Sequence, residues 1–393
     1  MAGSYIVAGA RTPIGKMSGA LASFSAADLG GIAIAAALQR AGVAPDEVEH
    51  VLMGQVLMAG QGQVPSRQAA VKAGIPMSVP SVNINKVCLS GLNTIYLADQ
   101  MIQAGEADIV VAGGMESMTN APYLAPGARG GFRYGNTELA DAIIKDGLWC
   151  AFDACLMGLG TERYSAGSIS REAQDEVAML SNQRAAAAIA TGKLAEEIVE
   201  VVIPQRKGDP VVVRDDEGVR ASTTMESLAG LKPAFDKEGT ITAANASQIS
   251  DGGSAVVVMS ERAVNQRGVT PLGQVVGYGM VAGPDNASLL QQPSKAIFKA
   301  LSRAGLSVSD VDLFELNEAF AAVGIASMAD LGITAEITNV NGGAIALGHP
   351  IGMSGNRLAL TVLHELRRRG GGTGAVALCG GGGQGDALLV KTV

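Results

Sequence analysis

Ala37-Leu-Gln-Arg-Ala-Gly42 has an echo far along the chain, Ala300-Leu-Ser-Arg-Ala-Gly305, and each closing glycine leads on to a valine at the same distance, Val48 and Val311. The echo continues in the same order. Ser90-Gly91 opens a stretch with Leu92, Ile95, Ala98 and Ile102 at helical spacing and Gly105 at its end, and Ser354-Gly355 opens another over 356–369. The apolar run 107–112, followed by Gly113-Gly114, is answered by Ala375-Val-Ala-Leu-Cys-Gly-Gly381. Matches in one order with a nearly constant offset point to a tandem duplication. Strand-like 48–52, 79–85 and 107–112 alternate with helix-like 26–40 and 92–102, so each copy reads as an α/β unit with a largely parallel sheet. The expected class is therefore α/β, two similar domains packed about a pseudo-twofold.

Between the copies the composition changes. Residues 117–246 carry turns (Ala125-Pro-Gly127, Arg129-Gly-Gly131), a helix capped by Ser170 with Glu172 in its first turn, and a charge-rich run over 206–220. This reads as an insertion above the first domain. Asp251-Gly-Gly-Ser-Ala-Val-Val-Val-Met259 reads as the strand that brings the chain back.

With 393 residues, 48% hydrophobic and 17% charged, the chain is long enough for more than one core and too apolar to be disordered. Aromatics supply only 4%, so the cores are built from aliphatic residues and Met. A net charge of −8 argues against nucleic-acid binding, and an anionic substrate would need a local basic patch. No uncharged apolar run reaches the length of a membrane span. Met1 to Tyr5 leads at once into Ile6-Val7-Ala8, and the chain ends Lys391-Thr-Val393, so neither a leader nor a Ser-Lys-Leu peroxisomal signal is expected and the compartment expected is the cytoplasm. Cys88, Cys150, Cys155 and Cys379 have no zinc-type spacing beyond the isolated C-x4-C, so neither a metal site nor a disulfide framework is expected.

The chemistry gathers at few places. Asn341-Gly-Gly-Ala-Ile-Ala-Leu-Gly-His-Pro-Ile-Gly-Met-Ser-Gly355 is costly to order because glycine loses the most backbone freedom. A flexible linker is one reading of it, but Ile345, Leu347 and Ile351 punctuate it as no Gly/Ser linker would be. A loop ordered to bring backbone close to a ligand, displaying His349, is the other. His50 and His364 read as surface or packing residues. Cys88 lies at a strand-to-helix junction, where the first-turn amides, the helix dipole and nearby Lys86 favour a thiolate; a buried structural cysteine is the alternative. Cys379 runs into Gly380-Gly-Gly-Gly383, whose bare amides suit an oxyanion hole. Cys150 and Cys155 lack any such glycine-built approach and read as structural. Asn317 follows the strand-like 313–316 and is either a site residue at a strand's C-terminal end or a helix N-cap.

Together Asn-x-x-Cys-x-Ser-Gly at 85–91, Gly-Gly-Met-Glu-Ser-Met at 113–118, Asn-Glu-Ala-Phe at 317–320, Gly-His-Pro at 348–350 and Cys-x-Gly-Gly-Gly-x-Gly at 379–385 resemble the thiolase family. The resemblance runs from Ala8-Gly-Ala-Arg-Thr-Pro13 to the last strand and is close to the acetyl-CoA acetyltransferases. It implies a layered αβαβα arrangement, with 1–118 and 247–270 as the N-terminal domain, 119–246 as an inserted coenzyme A-binding and tetramerisation loop domain, and 271–393 as the C-terminal domain. It implies Claisen condensation of two acetyl-CoA to acetoacetyl-CoA and the reverse thiolysis. Cys88, activated by His349, carries the acyl group, and Cys379 takes the α-proton. His349 with a water on Asn317, and the amides of Cys88 and Gly381, form the two oxyanion sites. Coenzyme A enters as part of substrate and product, with no prosthetic group and no metal. Its contacts are implied at Leu148, Met157, Arg220, Ser227, Ala243, Ser247, Ala319 and Phe320, with Asp215-Asp-Glu217 competing for Arg220. A homotetramer, a dimer of dimers, is implied as well.

Two departures bear on the acyl tunnel. Leu156-Met157-Gly158 stands where short-chain members often have His-Met-Gly, and Ala282-Gly-Pro-Asp-Asn286 replaces their Met-Gly-x-Gly-Pro. A broader 3-ketoacyl-CoA thiolase is thus the alternative activity. A ketoacyl synthase-type enzyme needs a second site histidine, a Cys-His hydrolase leaves Cys379 idle, and a non-catalytic coenzyme A-binding scaffold has no use for Cys88, Asn317, His349 and Cys379 together.

Overall fold

The computed structural model describes residues 3–393; Met1 and Ala2, where the expectation of no leader begins, lie outside the described residues. The first half runs β1 (Ser4–Arg11), α1 (Ala26–Ala41), β2 (His50–Gly54), β3 (Ser81–Ile84), α2 (Ser90–Gln103) and β4 (Ile109–Ser117). The chain then leaves the sheet, forms α3 (Arg171–Ala190), and returns as β5 (Ser250–Ser260). The second half runs β6 (Gly273–Ala282), α4 (Gln292–Ala304), β7 (Leu313–Leu316), α5 (Ala321–Leu331), α6 (Ser354–Arg368), β8 (Thr373–Gly380) and β9 (Gln384–Lys391).

The duplication is written into the strand pairing. In the first half the order is β1-β5-β4-β2-β3, antiparallel for the first two pairings and parallel for the last two. In the second it is β6-β9-β8-β7, antiparallel, antiparallel and parallel, and a lone parallel bridge from Phe314 to Thr338 stands where β3 stands in the first. Even the irregularities repeat, since β1 shifts register between Ile6 and Ala8 and β6 between Val275 and Gly277. The expectation of a largely parallel sheet is corrected to a mixed one. In each half the strand that returns from the far end of the unit (β5, β9) inserts antiparallel beside the first strand. The halves join edge to edge where Tyr5 and Ile6 pair with Gln274 and Gly273.

The layers follow from side-chain alternation. One face of the first half's strands packs on α1 through Val51, Val111 and Val257 with Ala33, Ile34 and Ala37. One face of the second half's packs on α4 through Ala375, Ala377 and Leu389 with Ile297 and Leu301. The inner faces of both enclose α2 and α6, with Leu92 and Ile95 from one helix and Leu358, Val362 and Leu366 from the other. Enclosing α2 and α6 between the two halves makes their N-terminal ends, after Cys88 and His349, meet: a Cβ on Gly91 would lie 3.0 Å from the amide nitrogen of Asn356. Ser170 caps α3, accepting the amide of Ala173 at 3.1 Å.

Candidate active site

Cys88 sits on a sharp elbow between β3 and α2. Val87 is held at φ +51°, a left-handed conformation that a β-branched residue adopts only under constraint. Three hydrogen bonds from two side chains impose it. Asn85 Oδ1 accepts the amide of Val87 at 3.1 Å, Ser90 Oγ accepts that of Lys86 at 2.8 Å, and the same hydroxyl donates to the carbonyl of Val87 at 2.6 Å. The nearby amides of Cys88 and Gly381 favour the thiolate, yet burial outweighs them and pushes the thiol up to about 12, although the residue keeps some exposure. Two parts of the expected thiolate stabilisation are corrected here. The amides of Leu89 and Ser90 are spent on the carbonyls of Lys86 and Val87. The ammonium of Lys86 is spent on Asp386, at 2.7 and 3.0 Å from its two oxygens.

Cys379 is fully buried near the end of β8, paired with Gly385. Burial, and then the nearby Cys88 thiol, push it well above the ordinary range for a thiol. The two halves thus bring Cys88, Cys379 and the amide of Gly381 together.

His349 is 5% exposed at the end of the glycine-rich loop. Ser354 Oγ donates to the carbonyl of Pro350 at 3.0 Å, so its 2.6 Å contact to His349 Nδ1 has the ring as donor. That tautomer leaves Nε2 as a lone pair, 3.3 Å from the donating Nδ2 of Asn317. Burial first, and then the charge of Arg357, push the imidazole down to about 3, so it is neutral in the resting site. Asn317 is no helix cap, because α5 begins beyond Phe320 and the Asn317 amide extends the ladder to the carbonyl of Ala377. Its Oδ1 is buried without a protein partner.

Sequence reasoning passed over Glu116 as a functional group. Fully buried, it accepts the amides of Val56 and Leu57 at 3.0 and 3.1 Å and that of Gly352 at 2.9 Å, tying the histidine loop to the turn after β2. A Cβ on Gly352 would lie 2.7 Å from Gln55 Cα, so only glycine lets the loop come this close. Burial pushes this carboxyl up to about 7 from the ordinary 4.5, against the pull of those amides. The folded protein therefore holds a proton here that the unfolded chain has released. The associated stability is present below pH 4.5 and lost as pH rises through 7. Melting the wild type and Glu116→Gln in parallel from pH 4.5 to 8 is expected to show the wild type's margin over the variant shrinking by about 3 kcal/mol. A margin independent of pH would place the carboxyl near its unfolded value.

Two adjoining cavities lead to His349. The inner one, of about 560 Å³ and mostly apolar, is lined by Leu148, Met157, Ala243, Ser247 and Phe320, all expected from the sequence. It is also lined by Leu156, Phe235 and His349 itself. The outer one, also about 560 Å³ and more polar, is lined by Arg220, Ser227 and Ala243. Ala243 and Gln248 belong to both. Ala319 lines neither; it is buried behind the wall, its carbonyl accepting the amide of Ser247. The acidic run does not take Arg220, because Asp216 binds Arg11 and Glu217 accepts the amides of Lys16 and Ala20. Among the described residues the Arg220 side chain has no partner. Gln248 was not singled out by the sequence, yet its side-chain amide donates to the carbonyls of Gly218, Ile345 and Ala346 while its backbone carbonyl accepts the amide of His349. Cys150 and Cys155, both buried, face one another across a short hairpin that joins Leu148 to Leu156, with Phe152 at its tip beside Gly382. Among the described residues no cluster of three or more His, Cys, Asp or Glu is placed to hold a metal, and no helix is long and apolar enough to cross a membrane.

A nucleophile elbow facing a glycine-built turn across a duplicated α/β core defines a class, and comparison with known proteins gives it a name. Residues 4–262 match the thiolase N-terminal domain and residues 269–392 the thiolase C-terminal domain, so the chain belongs to the thiolase family. Among its relatives is a probable acetyl-CoA acetyltransferase of Mycolicibacterium smegmatis, 56% identical over 98% of this chain and all of that protein. A probable acetyl-CoA acetyltransferase of Mycobacterium tuberculosis is 55% identical over the full length of both. The acetyl-CoA acetyltransferase of Cupriavidus necator is 52% identical over 98% of each.

Proposed function

We propose that the chain is an acetyl-CoA C-acetyltransferase, joining two acetyl-CoA into acetoacetyl-CoA and coenzyme A and running the reverse thiolysis through an acyl-Cys88 intermediate. The observation that carries this reading is the seating of the Cys88 elbow on the glycine turn that follows Cys379 in the other half of the chain, where a Cβ on Gly381 would lie 3.4 Å from Val87 Cγ1. In the first half-reaction the Cys88 sulfur attacks the thioester carbonyl while His349 Nε2 takes its proton. The oxyanion forms against the amides of Cys88 and Gly381, and coenzyme A leaves with the proton of Cys379, so that Cys379 is left as a thiolate while His349 keeps the proton on Nε2. In the second, Cys379 removes the α-proton of the next acetyl-CoA. The enolate oxygen is held by His349 Nε2–H and a water on Asn317 Oδ1, the carbanion attacks the acyl carbonyl, and the Cys88 sulfur departs, taking its proton back from His349. Neutral His349 and neutral Cys88 in the resting site favour a transfer made during attack over a standing ion pair. Removing one oxyanion donor from such a site costs about 10²–10³ in rate.

The inner cavity suits the pantetheine arm, and the outer cavity, with unpaired Arg220 and the Ser227 hydroxyl, suits the nucleotide and its phosphates. Coenzyme A is part of substrate and product, and no prosthetic group is needed. Residues 119–246 act as the inserted domain that carries most of these walls, between an N-terminal domain of 1–118 and 247–270 and a C-terminal domain of 271–393. Exposed Tyr123, Phe132, Tyr134 and Leu139 in that insertion suit a tetramer-forming loop, and a cytoplasmic homotetramer is the assembly we infer.

Thiolysis of acetoacetyl-CoA against 3-ketohexanoyl-CoA and longer 3-ketoacyl-CoAs tests the substrate. A sharp preference for acetoacetyl-CoA is expected. Equal or faster turnover of longer chains would make the protein a broad-range 3-ketoacyl-CoA thiolase, with apolar Leu156 in the tunnel wall as the place to look. No turnover of any would overturn the catalytic reading in favour of a coenzyme A-binding scaffold.

A further inference from the structure

The elbow that carries Cys88 does not stand on its own half of the molecule. Leu89 and Val87 rest on the bare turn that follows Cys379. A Cβ on Gly380 would lie 2.6 Å from Leu89 Cγ, and one on Gly381 would lie 3.4 Å from Val87 Cγ1. Beside these contacts Lys86 reaches across the boundary between the halves to Asp386 of β9, with a side chain 21% exposed against 0% for the aspartate. Asp386 pairs with Leu378, one position from the pair formed by Cys379 and Gly385. It also accepts the hydroxyl of Tyr278, which in turn accepts Nδ2 of Asn93 on α2 at 3.2 Å and stacks on Tyr96 with ring centroids 4.3 Å apart.

We propose that Lys86 and Asp386 are a positioning pair, a charged clamp that sets the spacing of the Cys88 elbow from Gly381 and Cys379. Packing of Val87 and Leu89 on glycines resists compression but offers little against sliding, because apolar contact has no direction. A bidentate ion pair with one partner wholly buried does have direction. It holds the elbow at the point where strain at Val87 would otherwise let it relax, and where two amides from different halves must face one oxygen. Lys86 touches neither cavity's lining and its ammonium is already committed, so its part is to hold and not to react.

The inference rests on the acyl-transfer reading, so wild-type thiolysis of acetoacetyl-CoA is the first measurement, and its absence would count against that reading alone. Given an active wild type, kcat and KM are compared for Lys86→Met, Lys86→Arg and Asp386→Asn. Lys86→Met and Asp386→Asn are expected to lose kcat by about 10- to 100-fold while KM stays within about twofold, since misplacing a reacting group costs turnover rather than binding. Lys86→Arg, which keeps a bidentate partner for the carboxylate, is expected to recover to within about threefold of wild type. Rates are taken per site that acquires an acyl group by mass spectrometry, so that loss of folded protein does not count as loss of rate. Wild-type kcat in Lys86→Met, or failure of Lys86→Arg to recover where Lys86→Met is impaired, would overturn the proposal.

Discussion

Replacing Cys88 by alanine is expected to lower thiolysis of acetoacetyl-CoA on the order of 10⁵-fold, because the variant loses the atom on which the acyl group rides. No neighbour can stand in. Cys379 is fully buried, its thiol is pushed even further up than that of Cys88, and the proposed reaction gives it the α-proton and not the acyl group. His349 has its Nδ1 held by Ser354 and its Nε2 beside Asn317, so it presents a base and not a nucleophile. Cys379→Ala provides the contrast. It is expected to retain acylation of Cys88, seen as the added mass of one acetyl group after mixing with acetyl-CoA, and to lose condensation. If Cys88→Ala keeps thiolysis within tenfold of wild type, or if the acetyl group is found on Cys379 in the wild type, the assignment of the two sulfurs is wrong.

What the sequence disclosed and what it withheld divide along the range of the interaction. Leu38-to-Gly42 and its echo Leu301-to-Gly305 announced the duplication, because a helix with its closing glycine is a local object. Both glycines prove to be left-handed C-caps, at φ +62° and +70°. The mixed sense of the sheet was not legible, since a run such as Ala255-Val-Val-Val-Met259, buried on both faces, has the same composition whether its neighbours run with it or against it. At the site, Cys88, His349 and Cys379 stood out because each lies in glycine-rich or junction sequence. Glu116 did not, since Val56 and Leu57 reach it only when β2 pairs with β4, and Gly352 only when the halves close. One signal for the clamp was present. Asp386 is the lone charge in the apolar strand Asp386-Ala-Leu-Leu-Val390, and a carboxylate buried there needs a cation from elsewhere in the fold.

That same logic makes Arg11 the side chain whose loss should cost the most stability. It is fully buried at the end of β1, where Nε donates to Glu197 at 2.6 Å and the two terminal nitrogens donate to Asp216 at 2.7 and 3.0 Å. Backbone bonds run alongside, from the Arg11 amide to the carbonyl of Glu197 and from the Val199 amide back to Arg11, and the Asp216 carboxylate also accepts the amide of Ile14. Both carboxylates belong to the chain between β4 and β5, so one guanidinium anchors that excursion to the first strand of the core. Truncation strands two acids that are 1% and 4% exposed, and the nearest other guanidinium, Arg40, donates to the backbone carbonyl of Glu197 and not to its carboxylate. The energy at stake is the cost of those uncompensated charges more than the worth of the pairs, which sets it at about 3–5 kcal/mol. Arg11→Ala is therefore expected to lower the thermal midpoint sharply, and the loss should be partly recovered by adding Glu197→Gln and Asp216→Asn, which remove the stranded charges. Recovery is the decisive arm, because a simple cavity left by the arginine would be deepened, not relieved, by further substitution around it. Because Asp216 and Arg220 lie in the same short stretch, loosening this anchor is also expected to raise KM for acetoacetyl-CoA before it lowers kcat. An unchanged KM in Arg11→Ala protein that is still folded at the assay temperature would separate the anchor from the outer cavity.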